Sequence, residues 1–141
     1  MAEIRTFKDL VAWQVGMETM VLTYEVTADF PAEERFGLVS QMRRASLSVP
    51  SYVAEGQAVR APRWSLRHSV TAIGSATELE TQMEAAIRLK FVSRDRARPL
   101  ADSLDRLQKL LYGMRRERRQ RLGISVASGV ITALLVFLRL F

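Results

Sequence analysis

The sequence predicts an all-α chain: an antiparallel up-down four-helix bundle with a kinked second helix, followed by an apolar C-terminal helix. Apolar residues recur at spacings of three and four along its length. No alternating period-two run bounded by turn residues appears, which argues against strands. The helical stretches are joined by short connectors at Phe30-Pro31, before Pro62 and at Ser93, and short connections make up-down packing the simplest topology. Residues 1–121 form the bundle, and residues 122–141 form the apolar helix, a candidate tail anchor.

The first helix is expected over residues 8–28, with Leu10, Trp13, Met17, Met20, Val21 and Tyr24 on one side. Phe30-Pro31 ends it, because a proline pushes the residue before it out of helical geometry, and Phe36-Gly37 leads into the second helix over residues 38–59. Pro50 lies inside that helix, where it removes one backbone hydrogen bond and crowds the carbonyl four residues back. A kink near residues 47–49 follows, with Ser46 and Ser48 placed to serve freed carbonyls. Pro62 suits the first turn of a third helix, which buries Leu66, Val70, Ile73, Met83 and Ile87 and ends near Lys90. Ser93 is the expected N-cap of the fourth, whose stripe is Leu100, Leu104, Leu107, Leu111 and Met114. Pro99 lies beyond a first turn counted from Ser93, so the helix is expected to begin nearer Pro99, with residues 94–98 as a basic connector.

With 141 residues, 48% of them hydrophobic, the chain is one domain with a real core. Cysteine is absent, which excludes a disulfide framework and a thiolate metal site. The opening MAEIRTFKDL lacks the basic-then-apolar layout of a secretory signal, so the cytoplasm is the expected location. Charge is unevenly placed: residues 1–59 carry a net charge of −3 and residues 60–141 a net charge of +9. A basic half of that size is an electrostatic footprint for a polyanion, whether nucleic acid or an anionic membrane surface.

Residues 124–138, ISVASGVITALLVFL, carry no charge, and a helix over 122–141 would be about 30 Å long, a bilayer's hydrocarbon thickness. Five arginines stand just before it, as the positive-inside rule asks of a cytoplasmic flank. Ile124, Val130, Leu134, Leu135 and Phe137 would then be the anchor, holding the bundle at the inner face of a membrane. The competing reading is a helix packed inside an oligomer, since no Trp or Tyr marks an interface and Ser125, Ser128 and Thr132 form a mildly polar stripe.

Enzymatic chemistry finds few residues to work with. His68 is the only histidine, with no thiol to activate and no helical partner for a metal, and its ordinary role is that of a solvated residue. Glu78 and Glu80 point to different faces of a helix whereas Glu80 and Glu84 share one; salt bridges to Arg43, Arg44 or Arg88 are their ordinary use. No catalytic residue, cofactor or metal is expected.

The arginines offer more. Arg43 and Arg44 face about 100° apart on a helix, so one can pair with Glu55 or the Glu78/Glu80 side while the other stays outward. Arg60, Arg63 and Arg67 share one face of the third helix beside Trp64, which either offers a stacking ring or belongs to the core. Arg115, Arg116, Arg118, Arg119 and Arg121 form the densest cluster, suited to phosphate groups of nucleic acid or of lipid headgroups.

Three ordered motifs carry a family resemblance. They are Phe7-Lys8-Asp9-Leu10 with Trp13-Gln14; FPAEERFGLVSQMRRASLSVPSYVAEG over residues 30–56; and Gly74-Ser75 with Glu78-Leu79-Glu80 and Gln82. Leu110-Leu111-Tyr112-Gly113-Met114 is a weaker fourth. The chain resembles the four-helix-bundle proteins encoded in intervening sequences of bacterial large-subunit (23S) ribosomal RNA genes, over residues 4–120. Pro99 and everything after Leu122 depart from that pattern. The resemblance implies a ring-like homo-oligomer, typically a pentamer, and no established activity. It extends to the accessory proteins of diversity-generating retroelements, basic rings that engage a reverse transcriptase and nucleic acid. The expected function is therefore a non-catalytic, self-assembling bundle that binds nucleic acid, RNA before DNA, through its arginines; the rival is a membrane-anchored protein-interaction scaffold.

Overall fold

The computed structural model describes residues 4–59 and 61–140, with side chains as far as residue 123. After a 3-10 turn at Phe7–Asp9, four α-helices follow: α1 Val11–Thr27, α2 Leu38–Ala58, α3 Pro62–Arg88 and α4 Arg94–Leu140. A second 3-10 turn, Ala32–Phe36, joins α1 to α2, and the Glu34 carboxylate accepts the Leu38 N–H at 2.9 Å to close the start of α2.

The helices pack as a bundle in which α1 and α3 each lie against α2 and α4. Neighbours run antiparallel. Along α2 and α3, Arg44 meets Glu78 while Glu55 meets His68; along α1 and α4, Thr19 meets Ser103 while Asp29 meets Arg96. In each pair one residue number rises as the other falls.

The stripe on α4 lies where its spacing puts it: Leu100, Leu104, Leu107 and Leu111 are all buried, with Met114 partly so. On α1 the buried side is a different one. Ala12, Val15, Gly16, Thr19, Thr23, Val26 and Thr27 face the core, while Trp13 packs at its edge and Val21 and Tyr24 are exposed. The cause is close helix approach. Small residues let α1 sit against its neighbours, and the threonines can be buried because Thr19, Thr23 and Thr27 return their hydroxyls to the carbonyls of Val15, Thr19 and Thr23, each at 2.8 Å. On α3, Ala72, Ala76 and Ala86 join Ile73, Leu79 and Met83 inside, whereas Val70 is exposed.

α2 continues as helix through Pro50. The serines do not serve the carbonyl that Pro50 leaves without a donor, that of Ser46. Each hydroxyl has one proton to give, and Ser46 gives it to the Arg43 carbonyl, Ser48 to that of Arg44 and Ser51 to that of Leu47. The basic connector expected over residues 94–98 is helical instead. Ser93 Oγ accepts the Arg96 N–H at 3.2 Å and the Ser93 carbonyl accepts that of Ala97, so the first turn closes before Pro99. Ala97 and Leu100 on either side of the proline are buried, and that packing holds the turn despite one missing backbone bond.

Among the described residues no helix is long and apolar enough to cross a membrane. α4 itself continues to Leu140, but Ile124, Val130, Leu134, Leu135 and Phe137, the residues expected to anchor it, lie outside those whose side chains are described.

Candidate nucleic-acid interface

The arginine cluster of α4 divides between two directions. Tyr112, Arg115, Arg116 and Arg119 fall at helical spacings of three and four and are exposed together. With Lys109 and Gly113 they line a shallow depression of about 540 Å³. The Arg115 guanidinium lies over the Tyr112 ring, 5.0 Å from its centre, so a cation and an aromatic face are offered side by side. Arg121 is also exposed but bonded to Glu117 one turn back.

Arg118 turns the other way. It is 8% exposed and is the only charged residue buried among those described. Its Nη1 donates to the Ser65 carbonyl at 2.9 Å and to Ser69 Oγ at 2.7 Å. Burial pushes its guanidinium below the ordinary arginine range, with Glu117 opposing and Arg121 reinforcing the shift. Arg118 stands seven residues after Leu111, on the continuation of the buried leucine stripe, and that spacing is the signal that separates it from its neighbours.

These bonds fix α4 at Arg118 beside the first turns of α3. Trp64, 55% exposed, lies there with the Arg67 guanidinium 5.4 Å from its ring centre. Trp64 is thus a surface ring and not part of the core. Arg63 is exposed nearby, and Arg60 lies outside the described residues. Two exposed arginine–aromatic pairs therefore share one end of the bundle.

Arg43 and Arg44 lie further along. Arg43 is turned into the α1–α2 seam, where its Nε donates to Thr27 Oγ1 at 3.0 Å and its guanidinium sits 4.4 Å from the Tyr24 ring centre. Arg44 stays outward, donating to Gln41 and standing 3.9 Å from Glu78. An exposed pair at that separation contributes little to stability.

The carboxylates of α3 are engaged one by one. Glu78 accepts from Gln82, Glu80 from Gln108 of α4, and Glu84 from Arg88 and Arg94. Among the described residues no three of His, Asp and Glu come together to hold a metal. His68 is not a freely solvated residue: its side chain is 21% exposed, its Nδ1 is 3.3 Å from Glu55 Oε2, and its ring lies against Tyr52.

A family model described as 23S rRNA-intervening sequence protein matches residues 8–113, three quarters of the chain. The chain belongs to that family. No curated protein matches it. Among solved structures it is similar to a protein of unknown function from the S23 ribosomal protein family of Bacteroides thetaiotaomicron VPI-5482, with a TM-score of 0.67. The two are 18% identical over 74% of this chain and 98% of that one, a likeness of fold alone. The stretch matched to the 23S rRNA-intervening sequence family holds all the core of the four-helix bundle up to Leu111 and stops before Arg115. The family thus accounts for the scaffold, whereas Tyr112 stands at the edge of the matched stretch and the arginines from 115 onward lie outside it.

Proposed function

We propose that this member of the 23S rRNA-intervening sequence family is a non-catalytic binding protein for nucleic acid, RNA before DNA. The observation that carries the reading is the pair of exposed arginine–aromatic contacts, Arg67 with Trp64 and Arg115 with Tyr112, at one end of the bundle together with Arg116 and Arg119. Guanidinium groups neutralise backbone phosphates, and an exposed ring beside them stacks on an unpaired base whatever its identity. Self-assembly belongs to the same reading: identical subunits would multiply a net charge of +6 into a field strong enough to steer a polyanion. The sequence's resemblance to retroelement accessory proteins would add to this reading a pentameric ring and a protein partner such as a reverse transcriptase.

The test is binding of a labelled structured RNA across a salt series, with a DNA duplex of the same length as competitor. Changing Arg115, Arg116 and Arg119 to Gln should flatten the slope of log K against log salt by about 2, since each phosphate contact contributes about 0.7–0.9. Absence of binding at low salt, or an unchanged slope, would sink the reading.

One observation favours a second reading. α4 runs on past its arginines into fifteen uncharged residues, 124–138, so the same guanidiniums could face phospholipid while the bundle recruits a protein in the cytoplasm. Carbonate-resistant membrane association of the full chain, lost when residues 123–141 are deleted, would favour it.

A further inference from the structure

Arg118 is buried without a carboxylate of its own. The acceptors on its Nη1, the Ser65 carbonyl and Ser69 Oγ, are neutral, and Glu117, the acid whose charge acts on it, is bonded to Arg121. Nε and Nη2 have no hydrogen-bond partner among the described residues. Neither is sealed in, because Gln82 Oε1 is the one fully buried side-chain polar atom there that lacks a partner. A partly desolvated charge whose hydrogen-bond acceptors are all neutral is costly to bury, and an incoming anion relieves that cost.

Two cavities meet at this guanidinium. The smaller, about 260 Å³, is lined by Gly56, Gln57, Pro62 and Ser65 together with Arg118 and Arg121. The first residue of α3, Pro62, borders it. Among the described residues that helix end has no side-chain cap, because its N-cap is Ala61, and no acidic residue in its first turn, so the partial positive charge of the α3 dipole lies beside the cavity. The opposing end of α2 is partly answered: the Gly56 carbonyl accepts the Ser65 hydroxyl and that of Glu55 the Val59 N–H. The larger cavity, about 560 Å³, shares Gln57, Arg118 and Arg121 and has an apolar wall of Leu10, Val11, Leu110 and Met114. Gly56 is what lets the arginine in, since a Cβ there would stand 2.5 Å from its Nη1.

We infer that Arg118 and Arg121 form a binding site for a small organic phosphate monoester, its phosphoryl group in the smaller cavity and its organic part along the apolar wall of the larger. Two guanidiniums at the positive end of a helix dipole, set against a single acid that is already paired, favour a dianion over a monoanion, and hence a phosphate over a carboxylate. The site is separate from the outward arginines assigned to nucleic acid.

The experiment is calorimetric titration of the full-length protein at fixed ionic strength with phenyl phosphate, inorganic phosphate, benzoate and benzyl alcohol. Phenyl phosphate should bind saturably and more tightly than the other three. Arg118→Gln should weaken it by about tenfold or more, the ordinary worth of a charge-assisted hydrogen bond to phosphate. Arg121→Gln, a change at an exposed side chain, should weaken it several-fold and carries the test if Arg118→Gln fails to fold. Arg116→Gln should leave it unchanged, and the Gln set that weakens RNA binding should do the same. No saturable binding of phenyl phosphate, equal binding of benzyl alcohol or benzoate, or an equal loss in Arg116→Gln would overturn the assignment. Inorganic phosphate binding as tightly as phenyl phosphate would overturn the placement of the organic part.

Discussion

Gly16 of α1 and Pro50 of α2 pack face to face, so close that a Cβ on Gly16 would stand 3.3 Å from the Pro50 Cβ and 3.5 Å from its Cα. The proline that interrupts the α2 hydrogen-bond ladder thus fills the notch left by a residue with no side chain. Gly16→Ala should stay within about 1 kcal/mol of the parent, because a gain in helix propensity of that size opposes a tight contact. Gly16→Leu should lose about 1–3 kcal/mol by forcing the helices apart. Urea denaturation of the two variants checks both, and a harmless Gly16→Leu would contradict the close approach.

Gly56→Ala should destabilise by a similar amount, about 1–3 kcal/mol, since its methyl would meet Arg118 Nη1 at 2.5 Å and the His68 Cβ at 3.0 Å. Part of that loss should vanish when Arg118 is already Ala. A double-mutant cycle reads the coupling directly, and strictly additive losses would mean that the two residues do not compete for the space.

α3 ends with Lys90 in the left-handed region, φ 61°, where the Lys90 N–H reaches the Ile87 carbonyl and the Phe91 N–H reaches that of Ala86. This is the Schellman arrangement, and glycine is the residue that adopts it without a Cβ clash. Lys90→Gly should raise stability by about 0.5–1 kcal/mol, visible as a higher melting temperature. A lower one would count against the turn.

Glu84 gives the chain an acid-side signature. Its carboxyl is held below the ordinary glutamate range, first by the hydrogen bond from Arg88 and then by the Arg94 guanidinium, with desolvation working against them. A folded-state value below the unfolded one means that the contribution is complete above the unfolded value, about 4.3, and is lost as pH falls through the lower folded value. The stability of Glu84→Gln should therefore approach that of the parent as the buffer is acidified and fall short of it at neutral pH. A gap of constant size down to pH 2 would place its cause elsewhere.

What could be read in advance followed from how strongly each helix advertises its inner face. Four leucines from Leu100 to Leu111 leave α4 one side to bury, and the three motifs gave the family that the match over residues 8–113 bears out. α1 hides its inner face behind threonines whose hydroxyls are returned to the helix's own carbonyls, with Thr19 also meeting Ser103 and Thr27 also meeting Arg43, so the larger Val21 and Tyr24 look more like core than they are. Pro99 misled in the same way, because the burial of its neighbours outweighs one missing bond. Among the arginines, sequence density grouped five residues that helical phase divides: Arg115, Arg116 and Arg119 go outward, Arg121 pairs with Glu117, and Arg118 goes in.

α4 has no joint between its leucine stripe and Leu140. Each residue advances a helix by about 1.5 Å and turns it by about 100°, so the packing of Leu111 and Arg118 sets the compass bearing of everything downstream. One residue inserted after Arg121 would swing the remainder of the helix through about 100°, whereas seven would return it to within about 20° of its heading and carry it about 10 Å further out. Length and bearing of the C-terminal rod can therefore be dialled independently, with the bundle as the fixed mount.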